Sequence, residues 1–128
     1  MIPKYRVWDK ELRTMLDVSL IDFKKGVLVG EHWEFGETNF MSFDEIVIMQ
    51  TTGLLDKNGK EIFEGDIVDY KGREAVVKWH GSYASFIYRF VDGLKERVSE
   101  WEPLYLAYLK CEVIGNIYEN PELLEVKE

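Results

Sequence analysis

Apolar and polar side chains alternate over short stretches of this chain, with the period of two that half-buried strands require. Lys4–Asp9 shows the pattern first and predicts a strand. Met15–Phe23 alternates in part, and Gly26–Gly30 is a short apolar run closed by glycines that mark turns. Ser42 and Glu45 have the spacing of a capping box and allow one helical turn. The β-branched run Ile46–Gln50 that follows predicts strand instead. Asn58-Gly59 lies between Leu54-Leu55 and Ile62-Phe63, which predicts a hairpin through a type I′ turn with positive φ at both central residues. Asp66–Tyr70, Glu74–Trp79, Ser82–Val91 and Cys111–Tyr118 then predict closely spaced strands, a density that suits a small barrel. In Ser82–Val91 both faces carry large apolar groups, Ala84, Phe86, Tyr88 and Phe90 on one and Tyr83, Ile87 and Val91 on the other. Trp101–Leu109 is compatible with a 3₁₀ turn followed by a strand or a short helix, and Asn120–Leu124 allows a short helical turn with Pro121 at its first position.

The pattern therefore predicts a mainly-β protein with short helical turns only, a β-rich N-terminal part and a C-terminal barrel. Repeats, low-complexity tracts and an obvious linker are missing from the sequence. At 128 residues and 46% hydrophobic content, the chain has the size and apolar content to bury a core without staples.

Charge narrows the choice of partner. The formal net charge is -8, with Glu119, Glu122, Glu125 and Glu128 against Lys127 at the end of the chain, and the longest basic cluster is Lys24-Lys25. Nucleic-acid affinity rests on phosphate contacts from a basic patch, so duplex DNA is disfavoured as the main ligand. A local strip of Lys78, Arg89, Lys95 and Arg97 is the one basic alternative. The single cysteine, Cys111, sits in an alternating run as a small buried hydrophobe. A lone cysteine, with neither a leader nor a long apolar run at the N-terminus, predicts a cytoplasmic protein without a membrane segment.

Candidate chemistry is sparse. Asp56 and Asn58 have the spacing of the first and third positions of an EF-hand loop. However, Lys60 stands at the fifth position, Glu61 replaces the required glycine and Ile67 stands where the bidentate glutamate belongs. His32 and His80 are far apart and lack cysteine or carboxylate at metal-ligand spacing. Glu31, Glu34 and Asp44-Glu45 could bring carboxylates near His32, but no motif joins them. The expectation is a non-enzyme with no catalytic residues, no metal and no cofactor.

Three segments carry a resemblance. They are Tyr5-Arg6-Val7-Trp8-Asp9 with Met15, then Met49-Gln50-Thr51-Thr52-Gly53-Leu54 running into Asp56-Lys57-Asn58-Gly59-Lys60-Glu61-Ile62-Phe63-Glu64-Gly65-Asp66-Ile67-Val68, and finally Val113-Ile114-Gly115-Asn116-Ile117-Tyr118-Glu119-Asn120-Pro121. In order and spacing they are similar to the YopX family of phage and prophage proteins. The likeness spans nearly the whole chain and is loose over residues 17–47 and 82–110. Thr51 departs from it, standing where the family usually has an aromatic before the Thr-Gly. The resemblance implies a mainly-β fold with an SH3-like barrel and a phage or prophage origin, and no known activity. It sets the expected domains at residues 1–52, a β-rich subdomain packed on the rest, and residues 53–128, an SH3-like barrel with an acidic tail.

Within the shared motifs, Gly53, Gly59, Gly65 and Gly115 are expected at positions of positive φ or close backbone approach. Asp66 and Asn116 are expected to hydrogen-bond the backbone of their own turns, and Asn58 is expected to have a structural role in its hairpin turn. Trp8 and Trp79 are expected as core anchors. The leading functional expectation is a binding module for a host or phage protein. Its candidate groove residues are Tyr83, Tyr88, Trp101, Tyr105 and Tyr108, since Tyr and Trp tolerate one wet and one buried end. The alternatives are a nucleic-acid-binding barrel and a self-assembling subunit whose strand edges pair between copies.

Overall fold

The computed structural model describes residues 4–31, 38–91 and 101–124. Among them, eleven strands make two antiparallel sheets, and the helical elements between them are short 3₁₀ turns. The mainly-β class expected from the alternation is the class observed. The chain divides into two compact units, Met1–Thr51 and Thr52–Glu128.

In the first unit, β1 (Tyr5–Asp9), β2 (Thr14–Asp22), β3 (Val27–Glu31), β4 (Thr38–Ser42) and the first part of β5 (Ile46–Leu55) are ordered β4-β3-β2-β1-β5. Alternation places Val7, Leu16, Leu28, Met41 and Ile46 together in one core, with Val18, Ile21, Phe43 and Ile48 packed against it. The two hairpin loops are built alike. Asp9 Oδ1 accepts the N–H groups of Glu11 and Leu12, and Asp22 Oδ1 accepts those of Lys24 and Lys25. Each loop closes with an N–H, of Arg13 or Gly26, donated to the same aspartate's carbonyl from a residue at positive φ. The capping box is formed: Ser42 and Glu45 cap the 3₁₀ turn Phe43–Glu45, which leads into β5.

In the second unit the end of β5 pairs with β6 (Glu61–Phe63). A five-stranded sheet follows in the order β10-β9-β8-β7-β11, comprising β7 (Asp66–Tyr70), β8 (Arg73–His80), β9 (Ser85–Phe90), β10 (Trp101–Pro103) and β11 (Cys111–Asn116). This meander with a returning strand has the order of a small barrel, but it is open, with β10 and β11 as its two edges. Ile62, Val68, Ala75, Val77, Tyr88, Phe90, Leu104, Ala107 and Cys111 form its main core. Ile67, Val76 and Val91 form a second cluster on the opposite face, covered by Ile117, Leu123 and Leu124.

Several local expectations are corrected. The Asn58-Gly59 hairpin forms, but only Gly59 has positive φ, at 81°, and Asn58 does not. Asp56 dictates that geometry: its Oδ1 accepts from Asn58 and Lys60, and its backbone pairs with Lys60 and Gly59. The loop is consequently longer than the two-residue type I′ turn. The signature of two consecutive positive φ values appears instead at Lys71-Gly72, 53° and 85°, between β7 and β8. Ser82–Ala84 are not strand: Gly81–Tyr83 form a 3₁₀ turn that ends with Ala84 at a φ of 47°. Trp101–Pro103 are strand, because they pair with Ile87–Arg89, and the 3₁₀ turns come after them, at Leu104–Leu106 and Tyr108–Lys110.

Candidate functional site

The candidate site lies in the second unit, on the outer ends of β8, β9 and β10. Cross-strand register sets Lys78 opposite Ile87, Val76 opposite Arg89, and Arg89 opposite Trp101, so that these side chains share the face that does not carry Val77 and Tyr88. His80 follows on the same face at the end of β8. The turn Gly81–Tyr83 then folds back and brings Tyr83 over it.

An aromatic triad results. The His80 ring lies 4.8 Å from the Tyr83 ring and 4.8 Å from the Trp101 ring, and Tyr83 and Trp101 are 5.2 Å apart. Tyr83 is 66% exposed. His80 Nδ1 is buried and has no hydrogen-bond partner among the described residues. On the other face of the sheet, which carries Val77 and Tyr88, Trp79 meets Phe86 edge to face at 5.1 Å. Trp79 borders two shallow hollows. One, of about 250 Å³, is lined among the described residues by Lys78, Trp79, His80, Ile87, Arg89 and Trp101. The other, of about 230 Å³, runs from Thr52 and Leu54 past Trp79 and Phe86 to Leu104 and Tyr105.

The five aromatics named as a groove therefore separate. Tyr83 and Trp101 meet in the triad, and Tyr105, 60% exposed, lines the second hollow. Tyr88 is removed from any groove: it is 1% exposed within the core, its hydroxyl donating to the Glu102 carboxylate. Burial, then that hydrogen bond and the negative charge of Glu102, raise its pKa well above the ordinary tyrosine value. Tyr108 packs against the same core. Trp79 is a correction in the other direction: expected as a core anchor, it is 51% exposed, because β8 continues two residues beyond Val77, its last core residue. Trp8 is buried at 8% exposure. His80, which from sequence was only a histidine without ligand spacing, is the member of the triad that sequence reasoning missed. Counting by twos from Lys78 gives the signal. Of the basic strip, Lys78 and Arg89 line one hollow, whereas Lys95 and Arg97 lie outside the described residues, as do His32 and Glu34.

The shared motif residues sit elsewhere, at backbone junctions. Asp56 is buried, and its Oδ2 accepts the Val113 N–H at 2.8 Å, tying the hairpin to β11. Burial pushes this carboxyl up, but the N–H groups of Val113, Lys60 and Asn58, with the Lys60 ammonium, outweigh it and hold the pKa below the ordinary aspartate value. Asn58 Nδ2 donates to Glu112, beside the Lys57–Glu112 ion pair. Asp66 Oδ2 accepts the Phe63 N–H at 2.8 Å, across the turn that holds Gly65 at a φ of 88°. Gly53 sits within β5 at a φ of 77°, and Thr51, two residues before it, is a buried strand residue. Asn116 Oδ1 accepts from Tyr118 and Glu119 after a bulge in β11. At Gly115 a Cβ would stand 2.4 Å from Asn120 Oδ1, whose acceptor takes the Asn116 N–H. These carboxylates and amides are occupied by backbone and by neighbouring carboxylates, and among the described residues no group of three metal-ligating side chains assembles. Burial, then the Asp56 charge, pushes the Cys111 thiol up to about 11.

The model of the family described as YopX protein matches residues 4–125, which takes in all three motif segments and both units. The chain belongs to the YopX family. A crystal structure of protein EF1440 from Enterococcus faecalis is similar to this YopX protein at 31% identity and a TM-score of 0.58, covering 98% of this chain and 99% of that one. No curated protein matches. Among the described residues no helix is long and apolar enough to cross a membrane.

Proposed function

We propose that this YopX protein is a non-catalytic binding module of a phage or prophage, acting inside the bacterial host, and that it holds an extended peptide of a partner protein against the aromatic triad. The observation that carries the reading is His80. Its Nδ1 is buried without a partner among the described residues, between two aromatic rings, one largely exposed, and a buried unpaired polar atom costs about 1–3 kcal/mol until something bonds to it. A peptide laid along the open end of β8 and β10 supplies such a group, while Tyr83 and Trp101 supply stacking area at low conformational cost. The non-catalytic part of the reading is supported by the occupation of Asp56, Asp66 and Asn116 by backbone groups and by the buried, high-pKa thiol of Cys111.

The test is affinity capture from host lysate by the tagged full chain, with and without nuclease, beside the variants Tyr83→Ala and His80→Phe. The second keeps an aromatic ring and removes its nitrogens. A stoichiometric protein that survives nuclease and is lost with both variants supports the reading. Capture confined to nuclease-sensitive material, or indifferent to both variants, overturns it.

A further inference from the structure

The two sheets present four edges, β4, β6, β10 and β11, and an open edge is a template for another strand unless something blunts it. Three are blunted. β6 is three residues long and begins with Glu61; β10 is three residues long and ends in Pro103; β11 carries Glu112 and a register shift between Val113 and Gly115. β4 has none of these devices. Its five residues, Thr38-Asn39-Phe40-Met41-Ser42, include no charge and no proline, and they pair with β3 in unbroken register from Val27/Ser42 to Glu31/Thr38.

The phase of that pairing fixes which groups face outward. The Phe43 N–H donates to the Gly26 carbonyl, so Leu28/Met41 and Gly30/Asn39 are the pairs that exchange bonds, and the backbone of Phe40 and Ser42 turns away from β3. The Ser42 N–H is taken by the Glu45 carboxylate of the capping box. The outward N–H and C=O of Phe40 have no partner among the described residues. Its side chain is 85% exposed and continues a cross-strand row through Val29 to Leu20, itself 58% exposed.

We infer that β4 is a self-association edge, at which a second copy of this chain adds its own β4 antiparallel about a two-fold axis through Phe40. Phe40 presents one donor and one acceptor in the same direction, so Phe40 and its mate exchange two hydrogen bonds, as an isologous pair requires. The two rings then lie side by side on one face, and Asn39 of each copy faces Met41 of the other. A chain of net charge -8 repels its own copies, yet this strand places no like charges opposite one another. The antiparallel arrangement also sets the Glu31 end of one sheet beside the Val27 end of the other. One strand pair and one apolar row cover less than a standard interface, so the association is weak and concentration-dependent.

The test is sedimentation of the full chain over a wide concentration range, beside Phe40→Lys and Tyr83→Ala. Phe40 is so exposed that the lysine variant folds normally, checked by thermal melting. It is expected to weaken self-association on the order of tenfold or more, since like charges then oppose each other across the axis, while Tyr83→Ala leaves it unchanged. Paired Cα atoms at bond-exchanging positions lie about 5.5 Å apart, within disulfide reach, so Phe40→Cys cross-links on oxidation and Leu12→Cys, also exposed, does not. A monomer at every concentration, or association that Phe40→Lys does not change, or equal cross-linking at both cysteines, overturns the inference.

Discussion

Asp56 shows how one carboxylate organises a neighbourhood. Its two oxygens hold Asn58, Lys60 and Val113. Asparagine at this site offers a single acceptor oxygen and sets an N–H₂ against the Val113 N–H. Asp56→Asn is expected to cost about 1.5–3 kcal/mol in chemical denaturation, in line with hydrogen bonds to charged groups. Because the folded carboxyl's pKa is lowered below its unfolded value, its contribution is fully present above the unfolded value and is lost as pH falls through the lower folded one. Acid unfolding of Asp56→Asn is expected to depend less steeply on pH in that window. Gly115→Ala must displace Asn120 from the Asn116 N–H, a clash worth about 1–3 kcal/mol and visible as a lower melting temperature. Cys111, 1% exposed and pushed up to about 11, is expected to resist alkylation at neutral pH in the native protein and to react once denaturant is added.

At the scale of elements, the turns carry most of what the pattern of hydrophobic residues leaves undecided. Lys71-Gly72 adopts two consecutive positive φ values where asparagine is the better first residue, so Lys71→Asn is expected to raise stability by about 0.5–1 kcal/mol. Failure of the melting temperature to rise would show that Lys71, whose ammonium lies over the Tyr70 ring, contributes as much as the strained φ costs. Strands were legible because alternation is a local property: β1, β2, β3 and β7 fall where the period of two predicts them. Turn geometry was not. Asn58-Gly59 has the composition of a type I′ turn, but the preceding Asp56 captures the N–H groups of Asn58 and Lys60 and lengthens the loop. Trp101–Pro103 became strand only through pairing with Ile87–Arg89, a contact between segments well apart in the chain.

For the molecule as a whole, the open sheet order leaves two features available for recognition, the aromatic triad of the second unit and the β4 edge of the first. They make separable predictions. Partner capture depends on Tyr83 and His80, self-association on Phe40, and neither set of variants should move the other readout. Added salt is expected to strengthen self-association, because it screens the repulsion between copies of net charge -8. Partner capture through stacking and one hydrogen bond should respond weakly, whereas phosphate contacts through Lys78 and Arg89 would weaken steeply.

What the amino-acid order determined by itself was the local physics: a period of two, apolar strands between turns, an unpaired cysteine, an acidic balance, and motifs whose spacing matches one family over nearly the whole chain. The tertiary structure alone decided which aromatics are core and which are surface. Tyr83, Tyr88, Trp101, Tyr105 and Tyr108 are interchangeable by composition, but Tyr88 faces Val77 across a central strand pair while Tyr83 rides a turn beyond the end of the sheet. His80 acquires its unpaired nitrogen, and Phe40 its open edge, in the same way: both depend on which strand lies beside them and where that strand stops, and those are properties of long-range pairing rather than of neighbours in the chain.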